Sequence, residues 1–270
     1  MHIYRMFLLA AVPLLAQKRS VEFTKLEPPV IQERLAMVTA KMPQRRAALE
    51  KLFQDAGCTG ENLTTQKVPG SKHPNLICTL AGMDAEAGVI VTGGHWDFAD
   101  EGTGAIDDWS GSVLLPSLYQ SLKDVPRRHS YVFVAFAAEE TGLHGSLEYV
   151  NKLTREQRTS IRAMINLECL GLDSPKVWAS RADRTLLQAY AGVLSALQIP
   201  VGVVNVGAGL DDDTHSFYDA KIPTLSIHSV TQKTLPLLHS SKDKLSAIHA
   251  DDYYTAYQTV ATLLAYLDGQ

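Results

Sequence analysis

Five short segments carry residues whose types and spacing point to chemistry. In Gly93-Gly94-His95-Trp96-Asp97, which follows an apolar run, one residue separates a histidine from a carboxylate. On an extended segment both side chains lie on one face. That arrangement suits an imidazole that binds a metal through one ring nitrogen while the carboxylate orients the other. Gly104-Ala105-Ile106-Asp107-Asp108-Trp109-Ser110-Gly111 leads into an apolar stretch. Read alone it favours a helix cap formed by Asp108 or Ser110; the other reading turns Asp107 back as a metal ligand. Ala138-Glu139-Glu140 places two carboxylates directly after an apolar run, where their repulsion would raise one pKa unless cations compensate. Glu168 ends another apolar run, and His239 lies in Leu238-His239-Ser240-Ser241 shortly before the last helical pattern.

Together these residues make a coherent set. Asp107, Glu140 and Glu168 supply three negative charges, and His95 and His239 are neutral when they coordinate. Two divalent ions leave one net positive charge, which a bridging hydroxide cancels. Such a site stabilises a metal-bound hydroxide near neutral pH, the nucleophile that hydrolysis needs. Mixed histidine and carboxylate ligands favour zinc, with manganese or cobalt as substitutes. Glu139 is then left over, beside the metals but not needed on them, placed to accept a proton from water and pass it to a leaving amine.

The elements that must position these groups alternate in type. Ile31, Leu35, Val38 and Met42 recur at helical spacing, as do Leu49, Leu52, Phe53 and Ala56 in a second helix that Gly57 ends. Leu76–Ala81, Gly88–Thr92, Tyr131–Ala137, Ala163–Leu167 and Thr224–His228 read as strands; Ser110–Leu122, Leu143–Leu153 and Leu186–Leu197 read as helices. A last helix begins near Asp251-Asp252, whose charges suit the positive end of its dipole. Continuous apolar strands are buried on both faces. Their alternation with helices predicts an α/β fold, a three-layer helix–sheet–helix sandwich around a mostly parallel central β-sheet. Functional groups then gather just past the carboxyl ends of the strands, where the five segments fall.

Composition bounds the function. The 270 residues carry a net charge of −4, without a basic stripe, which argues against a nucleic-acid partner. Met6–Ala16 is apolar behind a charged start, the pattern of a secretory signal peptide over residues 1–16, and too short for a membrane span. A secreted or periplasmic chain with one domain over 17–270 is expected, and the sequence leaves its oligomeric state open. Three cysteines are too few for a disulfide framework or a Cys-based zinc site. An exported chain could join Cys58 to Cys78, which flank one connection, but spacing leaves this open. Cys169 reads as a small buried hydrophobe, facing away from the site that Glu168 enters.

The ordered motifs His-x-Asp (His95, Asp97), Gly-Ala-x-Asp-x-x-Ser-Gly (104–111), Ala-Glu-Glu-x-Gly-Leu-x-Gly-Ser (138–146), Asn-Leu-Glu (166–168) and His239 before the last helix resemble the M28 family of zinc aminopeptidases. The resemblance spans roughly 76–267 and implies a zinc-exopeptidase fold with a co-catalytic pair of zinc ions. Asp107 would bridge them, His95 and Glu168 would hold one, and Glu140 and His239 the other. Glu139 matches the family's general base and Asp97 the partner that orients the His95 imidazole. The implied activity is a secreted exopeptidase acting on peptides with a free N-terminus. A glutaminyl-cyclase-like acyltransferase with a single zinc is the alternative, followed by a carboxypeptidase or dipeptidase of the same fold. A non-catalytic relative is disfavoured, because all five ligands and the base are present.

Three departures stand out: Glu168 where many relatives have Asp, Leu238 in place of a Tyr common before the last histidine, and Asp213-Thr214-His215 in place of an Asp-His pair, which weakens His215 as a site residue. Asp211-Asp212-Asp213 reads as a solvated acidic turn, and His144 as a local packing or capping residue. His228 either lines the pocket or is a hydrogen-bonded buried histidine. Trp96 and Trp109 either shape the substrate pocket or close the core.

Overall fold

The computed structural model describes residues 21–99, 101–205 and 211–270. The expected signal peptide lies outside the described residues. The strands are β1 (Leu63–Gln66), β2 (Asn75–Leu80), β3 (Val89–His95), β4 (Ser130–Phe136), β5 (Ile161–Glu168), β6 (Lys176–Val177), β7 (Gly202–Val203) and β8 (Thr224–His228). They form one sheet in the order β1-β2-β4-β3-β5-β8-β6-β7. Its centre, β4-β3-β5-β8, is parallel throughout, while β1, β2 and the β6–β8 pairing are antiparallel.

Helices cover both faces, named in chain order α1 (Pro28–Leu35), α2 (Met42–Ala56), α3 (Ser110–Ser112), α4 (Leu114–Leu122), α5 (His144–Lys152), α6 (Arg155–Ser160), α7 (Arg184–Ala196), α8 (Thr214–Asp219) and α9 (Ala250–Asp268). The larger core packs α1, α2, α4, α7 and α9 on one sheet face, through Phe53, Leu118, Tyr190 and Tyr257 against Ile90, Phe133, Ile165 and Leu225. The smaller core packs α5 and α8 on the other, with Tyr149 and Phe217 against Val91, Val134 and Met164. Alternate residues of one strand therefore enter opposite cores, as the period of two requires. This is the expected three-layer α/β sandwich.

The sequence pattern and the structure differ at several ends. The first apolar spacing is helical only to Leu35, and Val38 and Met42 lie beyond α1. β3 runs on to His95, because Gly93 and Gly94 stay in the ladder opposite Val134 and Ala135. A Cβ at Gly93 would lie 2.3 Å from the Phe136 ring, so the glycine is what lets the strand continue there. The expected helix Ser110–Leu122 is split into α3 and α4 and preceded by an irregular turn, Ala105–Trp109. Cys58 and Cys78 form a disulfide with their Cα atoms 6.3 Å apart, closing the pairing that spacing left open.

Candidate metal centre

The parallel strands deliver the site. β3 ends at His95, β4 runs into Glu139 and Glu140, and β5 ends at Glu168, all at the carboxyl edge of the sheet. The turn before α3 supplies Asp107, and the loop between β8 and α9 supplies His239. Left-handed backbone at the non-glycine residues Ala138, Cys169 and His239 marks the same edge, and strained φ values of this kind concentrate at functional sites.

Asp107 joins two groups of donor atoms. His95 Nε2 lies 3.0 Å from its Oδ1, and His239 Nε2 lies 3.1 Å from its Oδ2. Glu168 Oε1 is 3.4 Å from His95 Nε2, and Glu140 Oε2 is 3.1 Å from His239 Nε2. His95, Asp107 and Glu168 thus form one cluster and Asp107, Glu140 and His239 a second, each with donor atoms within 4.8 Å of one another. All five ligands expected from the sequence come together. The donors are imidazole and carboxylate, which suit zinc. Glu139 Oε2 stands 3.9 Å from His95 Nε2 and belongs to neither cluster.

Glu140 and Glu168 each have one oxygen anchored and one turned to the site. Glu140 Oε1 accepts the Ala99 amide at 2.9 Å, and Glu168 Oε2 accepts Asn166 Nδ2 at 3.1 Å. Asp97 lies 3.6 Å from His95 Nδ1, an approach too long for a hydrogen bond. Its two oxygens instead accept the amides of Glu139 and Glu140, at 3.1 and 3.3 Å. The two aspartates of the Asp107-Asp108 segment turn different ways. Asp107 faces the clusters, while Asp108 Oδ1 accepts the amides of Gly111 and Cys169, tying the start of α3 to the end of β5.

The electrostatics of the cluster favour positive charge. Burial pushes Glu139 well above the usual carboxylate range, and burial together with Asp107 takes Glu140 up to about 7. His239 rises to about 9, chiefly through its hydrogen bond to Asp107. Burial opposes a charge on His95, yet Glu139 and Glu168 overcome it and raise its pKa. Asp107, although buried, is drawn below the carboxylate range by the two histidines. Without divalent ions the cluster thus takes up protons to offset its carboxylates, and divalent cations would take their place. The His95 side chain is 1% exposed and the His239 side chain 54%, so the site opens on the His239 side.

A cavity of about 460 Å³ lies over the carboxylates, with Leu143, Trp178, Val230, Leu235 and Leu238 among its apolar walls. Its size is that of a small-molecule site. Cys169 corrects the expectation from strand alternation. It is buried, but β5 stops at Glu168 and the φ of +48° at Cys169 returns its side chain to the cavity, with Sγ 3.4 Å from Glu168 Oε1.

The acidic turn is a second correction. Asp212 and Asp213 are fully buried just before α8, and burial pushes Asp213 up to about 8. His215 lies outside both clusters, paired with Asp211 and Asp219. His228 does both of the things considered for it, lining the cavity while bonded to the Val204 carbonyl. Trp96 and Trp109 close the larger core and do not line the cavity. Sequence reasoning missed Asn166 as the Glu168 anchor, and it missed Arg45 and Asp243. For Arg45 a signal existed, a charged residue in helical register with the buried Leu49, Leu52, Phe53 and Ala56.

Comparison with known proteins agrees with this geometry. Residues 75–264 match the description "Peptidase family M28". Leupeptin-inactivating enzyme 1 of Streptomyces exfoliatus is 29% identical over 190 residues, which are 70% of this chain and 43% of that protein. The chain therefore spans less than half the length of this curated relative. The LapA aminopeptidase of Legionella pneumophila has the same fold, with a TM-score of 0.78 at 22% identity over 95% of this chain and 79% of LapA. A glutaminyl cyclase from an Acidobacteriales bacterium shares it as well, with a TM-score of 0.75 at 18% identity over 94% of this chain and 98% of the cyclase. With the family match running through every strand that carries a site residue, this chain belongs to peptidase family M28.

Proposed function

We propose that the chain is an exported, zinc-dependent aminopeptidase that removes N-terminal residues from peptides at a two-ion site. One observation carries this reading: one oxygen of Asp107 faces His95 and the other faces His239, with Glu168 completing the first cluster and Glu140 the second. When bound, zinc supplies Lewis-acid polarisation of the scissile carbonyl and lowers the pKa of water. Glu139, beside both clusters, accepts the proton of the attacking water and delivers it to the leaving amine as the C–N bond breaks. Asp97 holds the backbone of Glu139 so that its carboxylate reaches that proton. Glu140 and Glu168 present carboxylate to a free α-amine, and the apolar walls of the cavity exclude water around the bound residue. The Cys58–Cys78 disulfide supports an oxidising compartment.

The test is to purify the chain, count its metals and assay aminoacyl-coumarin substrates beside N-blocked versions. Two zinc ions per chain and cleavage of unblocked substrates only are expected. Glu139→Gln should retain the metals and lose roughly two or more orders of magnitude in turnover; a variant with normal turnover would remove Glu139 from the mechanism. The cyclase match over nearly its whole length favours a single-zinc acyltransferase as the second reading. One ion per chain with release of ammonia from an N-terminal glutamine would establish it instead.

A further inference from the structure

Asp107 has to face both clusters at once, yet it sits in a turn that no strand ladder holds. Two buried groups of opposite charge hold that turn and the residues leading into it. Arg45 comes from α2, before the span that matches the family, and is fully buried. Its Nε donates to the Trp96 carbonyl at 2.6 Å, Nη1 to the Thr103 carbonyl at 2.9 Å and Nη2 to the Gly104 carbonyl at 2.7 Å. The guanidinium also lies 5.1 Å from the centres of both the Phe98 and Trp109 rings. It thus fastens the residue after His95 to the residues just before Asp107.

Asp243 approaches from the loop that carries His239, four residues further on, and is 2% exposed. Its Oδ1 accepts the Ile106 amide at 2.7 Å and its Oδ2 the Asp107 amide at 3.3 Å. Its own carbonyl accepts the Thr103 amide at 2.8 Å, and its amide donates to the Ser240 carbonyl at 2.9 Å. The cation therefore takes carbonyls just before the turn and the carboxylate takes amides within it. Gly102 lets the loops close, since a Cβ there would lie 2.6 Å from the Ser240 carbonyl oxygen and 2.7 Å from that of Asp243.

On the two-ion reading above, we infer that Arg45 and Asp243 are positioning residues for the metal centre, a two-sided clamp that fixes Asp107 between the clusters and sets the distance from His95 to His239. Neither group touches the clusters directly; each acts through backbone. A lysine at 45 keeps the charge but has no planar fork to span three carbonyls. An asparagine at 243 keeps the shape but turns an N–H2 toward a backbone amide.

Arg45→Lys and Asp243→Asn test this at a temperature below the melting point of each. Zinc affinity is measured by competition with a chelator, and the Co(II)-substituted absorption spectrum is recorded. Both variants should lose tenfold or more in affinity for at least one ion, as removal of outer partners of metal ligands does, with a changed cobalt spectrum and a fall in kcat that exceeds any change in KM. Affinity within twofold of wild type and an unchanged spectrum would mean that the two residues only stabilise the fold. Should either variant not fold, amide exchange in zinc-free wild type decides. Ile106 and Asp107 should be as protected as the amides of β3, and exchange at free-loop rates overturns the clamp. Wild type that binds no zinc refutes the two-ion reading separately, without touching the exchange result.

Discussion

Asp97 accepts the backbone amide of Glu139 at 3.1 Å through one carboxylate oxygen and that of Glu140 at 3.3 Å through the other. A single carboxylate thus sets the backbone position of the proposed base and of a proposed ligand, while standing 3.6 Å from the His95 ring. Asp97→Ala leaves two amides without their acceptor and lets both glutamates shift. Steady-state kinetics at saturating zinc should show kcat reduced by ~10–100-fold, the usual effect of losing such a partner. Asp97→Asn retains one acceptor oxygen and should fall between. Unchanged turnover in Asp97→Ala would show that the glutamates are held by other contacts.

The two histidines are expected to differ on removal. His239 is largely exposed, so His239→Ala opens little cavity, but it removes the protonated imidazole that faces Asp107 and Glu140, and the melting temperature of the zinc-free protein at neutral pH should fall modestly. It takes a ligand from the Asp107–Glu140 cluster alone, so zinc content by elemental analysis should fall from two ions to one. His95→Ala opens a buried position and removes the deeper cluster, so it should lower both zinc content and stability. Two tightly held ions in His239→Ala would contradict its assignment as a ligand.

Much of this site was legible because strand ends and the carboxylate and imidazole groups they carry leave local marks. An apolar run followed at once by Glu139-Glu140, or by Glu168, announces a buried strand that delivers carboxylate to a sheet edge. The three-layer architecture followed from the same runs. Residues whose role depends on partners distant in the chain left no such mark. Asp243 looks like any polar loop residue until Ile106, 137 positions earlier, donates to it. Asp213 reads as solvated because the turn is acidic, yet it is fully buried at the start of α8. Cys169 defeated alternation because the strand stops one residue earlier, and a period of two holds only while the backbone stays extended.

Gly111→Ala should be costly and Gly192→Ala beneficial. A Cβ at Gly111 would lie 2.4 Å from both the Leu167 carbonyl oxygen and Asp108 Oδ2. The first is backbone of β5, and the second belongs to a carboxylate pinned by the Gly111 and Cys169 amides, so neither can withdraw. Overpacking of this kind costs ~1–3 kcal/mol, and the displaced Asp108 would carry Asp107 with it. Gly192 lies inside α7 with nothing within 4 Å of a Cβ, where alanine gains ~0.5–1 kcal/mol. Thermal melts of the two variants should move in opposite directions; a Gly111→Ala protein that melts with wild type would contradict the close packing of β3, β5 and α3.

His228 gives stability a defined acid limb. Its Nδ1 accepts the Val230 amide at 3.1 Å, so the neutral ring carries its proton on Nε2, which donates to the Val204 carbonyl at 2.9 Å. Burial, reinforced by the nearby Lys176 charge, lowers its pKa from 6.5 to about 4, against the opposing pull of the Val204 carbonyl. Because the folded value lies below the unfolded one, protonation favours unfolding. The contribution is complete above pH 6.5 and drains away as the pH falls toward 4. That interval corresponds to about 3 kcal/mol. Urea unfolding of wild type and His228→Gln across pH 4 to 7.5 isolates it, since the histidines of the metal clusters titrate in both proteins. The difference between the two should shrink by about that amount from pH 7 to pH 4, whereas parallel curves would mean that His228 is free to take up a proton in the folded state.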